Sequence, residues 1–120
     1  RIEAEGKSVV LAGDTVPCGE LDDLCRDADI YVQTVLRPDL VELVKQFVPA
    51  LASRTNDILD YHSSVEDAAK TAARAGVKTL MLTHYVPAMQ SGQEADWLAL
   101  ATPHFTGKIV LGPDLTAAEA

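Results

Sequence analysis

The 120-residue chain predicts an α/β fold in which parallel strands, four to five in all, are joined by βαβ crossovers. Three observations carry this expectation. Runs rich in β-formers, Val9 to Ala12, Ile30 to Val35, Thr79 to Thr83 and Lys108 to Leu111, alternate with stretches of helical three-and-four apolar spacing. A strand, a helix and a strand fit within about thirty residues, the span of one βαβ unit, whose crossover is almost always right-handed. Two of the runs end on a polar side chain, Asp14 and His84. In open α/β sheets ligands bind just beyond the carboxyl ends of strands.

In chain order, Arg1 to Glu5 alternates apolar and charged residues, and Gly6-Lys7 supplies a turn into Ser8 to Ala12. This pattern predicts an edge hairpin or two strands, the second running into Gly13-Asp14-Thr15. Cys18 to Ala28 repeats apolar residues at Cys18, Leu21, Leu24, Cys25 and Ala28, as an amphipathic helix does, with Glu20, Asp22 and Asp23 placed early to suit the macrodipole. Ile30 to Val35 is the third strand. Pro38 to Leu51 predicts a helix with proline in its first turn and Pro49 as a stop or kink. Ser53 to Asp60 reads as polar and irregular up to Ile58-Leu59. Ser63 and Glu66 have capping-box spacing ahead of an alanine-rich helix to Ala75, which Gly76 ends in a left-handed turn. The Thr79 to Thr83 strand delivers His84 into a loop before Pro87. Gln93 to Ala101 is a last helix, Lys108 to Leu111 a last strand, and Thr116 to Ala120 a frayed tail.

The length allows one domain with one core, and the 48% apolar and 23% charged content suits a globular protein rather than disorder. No apolar run approaches the roughly 20 residues of a membrane span, and the first residues have no signal- or transit-peptide character. The expectation is a soluble, cytoplasmic protein that does not engage membranes. A net charge of −8 with scattered Lys and Arg speaks against a broad grip on nucleic acid. Cys18 and Cys25, seven apart on a helix, lie about 10.5 Å apart along its axis, beyond disulfide reach. A reducing compartment and a core-packing role follow.

Asp14 and His84 end strands, and His62 precedes a helix start. Carboxylate and imidazole are ligand types suited to zinc, manganese or iron, and a carboxylate can bridge two ions. Two ligands do not complete a catalytic site. The order Gly13-Asp14-Thr15, His62-Ser63-Ser64, Leu82-Thr83-His84 resembles the C-terminal half of the metallo-β-lactamase superfamily, closest to its ribonuclease Z and arylsulfatase-like phosphodiesterase branch. The closing Phe105 to Val110 strand and Asp114-Leu115 support the resemblance, which covers nearly all of the chain except Pro38 to Asp60.

The resemblance implies half of an αββα sandwich, with residues 1–120 a single domain that is the C-terminal portion of a larger hydrolase domain. It implies two divalent ions, zinc first and manganese or iron as alternatives. Asp14 matches the bridging metal ligand, His84 the last histidine ligand, and His62 the catalytic histidine that contacts the phosphate or protonates the leaving group. The implied reaction is hydrolysis of a small phosphodiester or sulfate ester by a metal-activated water. The His-x-His-x-Asp-His metal motif belongs to the other half of such proteins and has no counterpart here. Gln33 and Thr34 stand where the branch has His-Glu, leaving out an acidic partner for His62. His104 matches no motif and reads as a surface residue. A second reading is a non-catalytic α/β binding module that keeps the fold. A nucleotide-binding domain has little support, since no glycine-rich phosphate loop follows Val9 to Ala12. Half a sandwich also predicts an exposed apolar sheet face, and with it homo-oligomers or pairing with the N-terminal half.

Overall fold

The computed structural model describes residues 1–48, 50 and 52–120. The chain folds as β1 (Ile2–Ala4), β2 (Lys7–Leu11), α1 (Gly19–Cys25), β3 (Ile30–Leu36), α2 (Pro38–Phe47), α3 (Ala52–Tyr61), β4 (Ser63–Ser64), α4 (Val65–Arg74), β5 (Thr79–Val86), α5 (Glu94–Ala101) and β6 (Lys108–Leu111). The strands form one sheet in the order β1-β2-β3-β5-β6. The β1–β2 hairpin is antiparallel and every other pairing is parallel. The sixth strand, one more than expected, is the two-residue β4, which pairs with Val35 and Leu36 of β3. Because β2 stops at the Leu11–Val32 pair while β5 follows β3 throughout, β4 takes the edge of β3 that β2 vacates.

Alternation along the strands decides which residues meet the helices. Val10, Tyr31, Val35, Leu80 and Leu82 join Leu21 and Cys25 of α1, the alanines of α4, and Trp97 and Ala101 of α5 in one core. Alanine lets α4 lie close to the sheet; Ala68, Ala69 and Ala72 are fully buried. On the opposite face stand Ile2, Val9, Leu11, Val32, Met81 and Val110, aligned across the sheet by its register. None of these enters the helix-covered core, and Ile2 and Leu11 are each 60% exposed.

Four local expectations change. Helix α1 stops at Cys25 rather than Ala28, because Asp27 adopts φ +53° and donates its N–H to Ala75 O at the end of α4. Helix α2 ends at Phe47, and the predicted roles of Pro49 and Leu51 fall outside the described residues. The segment read as irregular is helix α3, which packs on α2; tertiary contact overrides the weak helix preference of its Ser, Thr, Asn and Asp residues. The helix cap is Ser64, not Ser63: Ser64 Oγ accepts from Asp67 N at 3.0 Å and donates to its carboxylate at 2.8 Å. Gly76 takes φ +69° at the end of α4, as expected of a left-handed stop. Cys18 is exposed and Cys25 buried, both as free thiols. Burial raises the Cys25 thiol to a pKa of about 11.

Candidate metal centre

The chain leaves β2 at Leu11 and crosses the carboxyl end of the sheet toward α1, carrying Asp14 at its turn. Gly13 permits the turn with φ +68°. Side chains hold the backbone on both sides of Asp14. Gly13 O accepts from Gln33 Nε2 at 2.9 Å and from Thr34 Oγ1 at 2.7 Å. Thr15 O accepts from Ser63 Oγ at 2.7 Å. Gln33 is fully buried; it also donates to Thr34 O, and its Oε1 accepts from the Tyr31 hydroxyl.

His62 follows the last residue of α3 and is buried. Its Nδ1 lies 3.2 Å from Ile58 O. A carbonyl can only accept, so Nδ1 carries the proton of this bond and Nε2 faces the site. Nε2 is buried without a hydrogen-bond partner, 3.4 Å from Asp14 Oδ1. His84 lies within β5 rather than after it, since the strand continues to Val86. Between the Thr34–Thr83 and Leu36–Val86 pairs, β5 spends three residues where β3 spends two. This bulge includes His84 at φ +46°, and re-aiming a side chain is what bulges do beside functional sites. His84 Nδ1 stands 3.4 Å from Asp14 Oδ1, and the two imidazole centroids are 5.9 Å apart.

One ligand atom each from Asp14, His62 and His84 thus lies within 4.8 Å of the others. Two donors each about 2.1 Å from a tetrahedral ion stand about 3.4 Å apart, so the spacing suits a shared cation. The unpartnered His62 Nε2 and the backbone carbonyl behind its Nδ1 are the features of an imidazole aimed at a metal or an anion. Asp14 and His84 therefore fit as donors to a divalent ion, with His62 Nε2 aimed at the same space.

The three residues singled out from sequence are brought together; His104 is exposed and lies outside the cluster. From sequence, Gln33 and Thr34 mark a missing acidic partner for His62 and favour the binding-module alternative. They serve the Asp14 loop instead, and Ile58 orients the imidazole. The available signal was two adjacent polar residues inside an otherwise apolar strand. Ser63, read as a cap, is a second support of the same loop.

No family model matches the chain. It is 56% identical over 119 residues to ribonuclease Z of Mycobacterium tuberculosis (strain H37Rv), covering 99% of this chain and 41% of that protein. It is 56% identical over 115 residues to ribonuclease Z of Mycolicibacterium paratuberculosis (strain K-10), covering 96% of this chain and 39% of that protein. The chain spans half or less of the length of the curated relatives it matches. Among solved structures it superposes on the metallo-β-lactamase fold protein YhfI from Bacillus subtilis with a TM-score of 0.63 at 17% identity, covering 91% of this chain and 39% of that one. The fold is of the metallo-β-lactamase type.

Proposed function

For a chain homologous over nearly all its length to ribonuclease Z, we propose a role as the C-terminal portion of a metal-dependent hydrolase that cleaves phosphodiester bonds, with RNA as its substrate class. The observation that carries this reading is the convergence of Asp14, His62 and His84 at the carboxyl end of the sheet. Asp14 and His84 would hold the metal, zinc in the first instance and manganese or iron as alternatives. When bound, such ions lower the pKa of a water toward neutrality and neutralise charge on a phosphoryl group.

The other steps belong to side chains of this chain. His62 keeps Nδ1–H on Ile58 O and, as the imidazolium, offers Nε2–H to the scissile phosphate; passing that proton to the leaving oxygen returns the ring to its neutral Nδ1–H form. Helix α4 begins three residues further on, at Val65. The first N–H groups of a helix lack intrahelical partners, so its N-terminus favours an anion beside the imidazole. A phosphodiester is preferred to a sulfate ester because the relatives carry the name ribonuclease, and 56% identity to them favours an enzyme over a binding module. The −8 charge of this chain leaves the grip on a polyanion to the metal ions and to the remainder of the protein. The uncovered sheet face with Leu11, Val32 and Met81 is the surface on which the other half of an αββα sandwich packs.

The test is Asp14→Ala in the full-length protein, read as metal per chain and turnover of bis-p-nitrophenyl phosphate and of a structured RNA. The expected result is loss of bound metal and at least about a hundred-fold lower turnover on both substrates. Unchanged turnover and metal content would sink the ligand assignment. His62→Ala is expected to keep its metal and lose turnover, which separates its role from that of a ligand.

A further inference from the structure

We propose that Gln33, Thr34 and Ser63 are positioning residues for the Asp14 carboxylate, clamping the two carbonyls that flank it, and that position 33 requires an amide in this chain. The inference rests on the reading of Asp14 as a metal ligand and adds to it the devices that fix where its carboxylate stands.

Asp14 has no regular structure around it and no ladder bond of its own; it sits in a six-residue connection between β2 and Cys18, the residue capping α1. Such a segment holds one geometry only if its backbone is tied to something rigid. The ties reach both neighbours. Gly13 O takes two donors, one from each of two successive residues of β3, and Thr15 O takes one from the first residue of β4. Strand β3 lies inside the sheet and β4 pairs along it, and Gln33 and Ser63 are nearly fully buried. The same Ser63 follows His62 directly, so the tie that fixes Thr15 also fixes the distance from the Asp14 loop to the imidazole.

The chemistry at position 33 is specific. Gln33 Nε2 donates to two carbonyl oxygens, Gly13 O and Thr34 O, while Oε1 accepts from the Tyr31 hydroxyl. A glutamate would keep the Tyr31 bond but set a carboxylate oxygen against two carbonyl acceptors. A side chain of the same length is therefore not an equivalent one. Thr34 reaches Gly13 O from the other face of the strand, so the carbonyl is held from two directions.

The experiment compares Gln33→Glu, Thr34→Val, Ser63→Ala and Asp14→Ala in the full-length protein, with zinc affinity measured by equilibrium dialysis in zinc buffers, thermal melting followed separately, and kcat and KM taken on bis-p-nitrophenyl phosphate. Outer-shell partners of a metal site are worth roughly 10- to 100-fold in metal affinity. The expected result is a zinc affinity at least about ten-fold weaker in Gln33→Glu and measurably weaker in Thr34→Val and Ser63→Ala, with folded melting profiles and the fall in turnover confined to kcat. Thr34→Val leaves Gln33 in place, so it stays informative if Gln33→Glu folds poorly. If Asp14→Ala loses metal while folded Thr34→Val and Ser63→Ala both bind zinc like the parent, the clamp is overturned and the ligand assignment stands. If Asp14→Ala itself binds zinc like the parent, both are overturned, since the loop then positions no ligand.

Discussion

Ser64 connects two roles at the scale of one residue. Its hydroxyl closes the first turn of α4 through Asp67, and its backbone pairs with Leu36 as the end of β4. Ser64→Ala removes the cap and leaves the strand pairing in place. The expected cost is about 1 kcal/mol of stability in urea unfolding, the ordinary worth of a serine N-cap. Zinc affinity should be unchanged, because no tie to the Asp14 loop is cut. Ser63→Ala should behave in the opposite way, weakening the metal more than the fold. Two adjacent serines thus separate a structural hydroxyl from a positioning one. The identical side chains hide this in the sequence: capping-box spacing selects Ser63, and only the pairing of β4 with β3 moves the cap one residue on.

At the scale of elements, the amino ends of three strands are gathered by Asp29, which precedes β3. Its carboxylate accepts from Lys78 Nζ at 2.7 Å, ahead of β5, and from Ser8 N at 2.8 Å, in β2. These contacts, Lys78 first and then the Ser8 N–H, hold its pKa at about 2, below the ordinary carboxylate value. A depressed folded-state pKa stabilises the fold above the unfolded value of about 4, and that stabilisation drains as pH falls toward 2. Asp29→Asn should flatten the stability–pH curve across this window in acid-titrated urea melts, while leaving the slope above pH 5 as it was. The elements themselves were largely legible. Apolar runs bounded by glycine and polar residues fixed β2, β3, β5 and β6, and the alanine spacing fixed α4. Helix α3 was not, since Ser53, Thr55, Asn56 and Asp57 have weak helix preference and its support comes from α2. The bulge that redirects His84 was also hidden, because a register shift is a property of two strands and one strand's sequence does not contain it. The convergence of Asp14, His62 and His84 was legible in part, because Asp14 and His84 follow apolar runs and His62 precedes the alanine-rich helix; the bonds of Gln33 and Thr34 to the Asp14 loop were not, because they act across the sheet.

For the molecule as a whole, the two faces of the sheet differ. Helices α1, α4 and α5 cover one, while the other carries Ile2, Val9, Leu11, Val32, Met81 and Val110, none of which joins the helix-covered core among the described residues. Contiguous apolar surface of this kind drives association. The 120-residue chain produced alone should therefore self-associate in light scattering, and Leu11→Glu with Met81→Glu should shift it toward monomer. A monodisperse monomer of the parent chain would remove the case for a sandwich partner on this face. The path between β3 and β4 bears on how such a protein can diverge. It departs after Leu36 and returns at Ser64, and these two residues are neighbours on one ladder. An excursion that closes on its own starting point contributes little to the sheet's register, and changing the length of a closed loop alters its closure entropy only slowly. Lineages can thus lengthen, shorten or replace the helical hairpin without renumbering the geometry of the site. The exception is its final turn, where the Ile58 carbonyl fixes the imidazole that follows, so natural variation should be broad early in the hairpin and narrow in the last residues before His62.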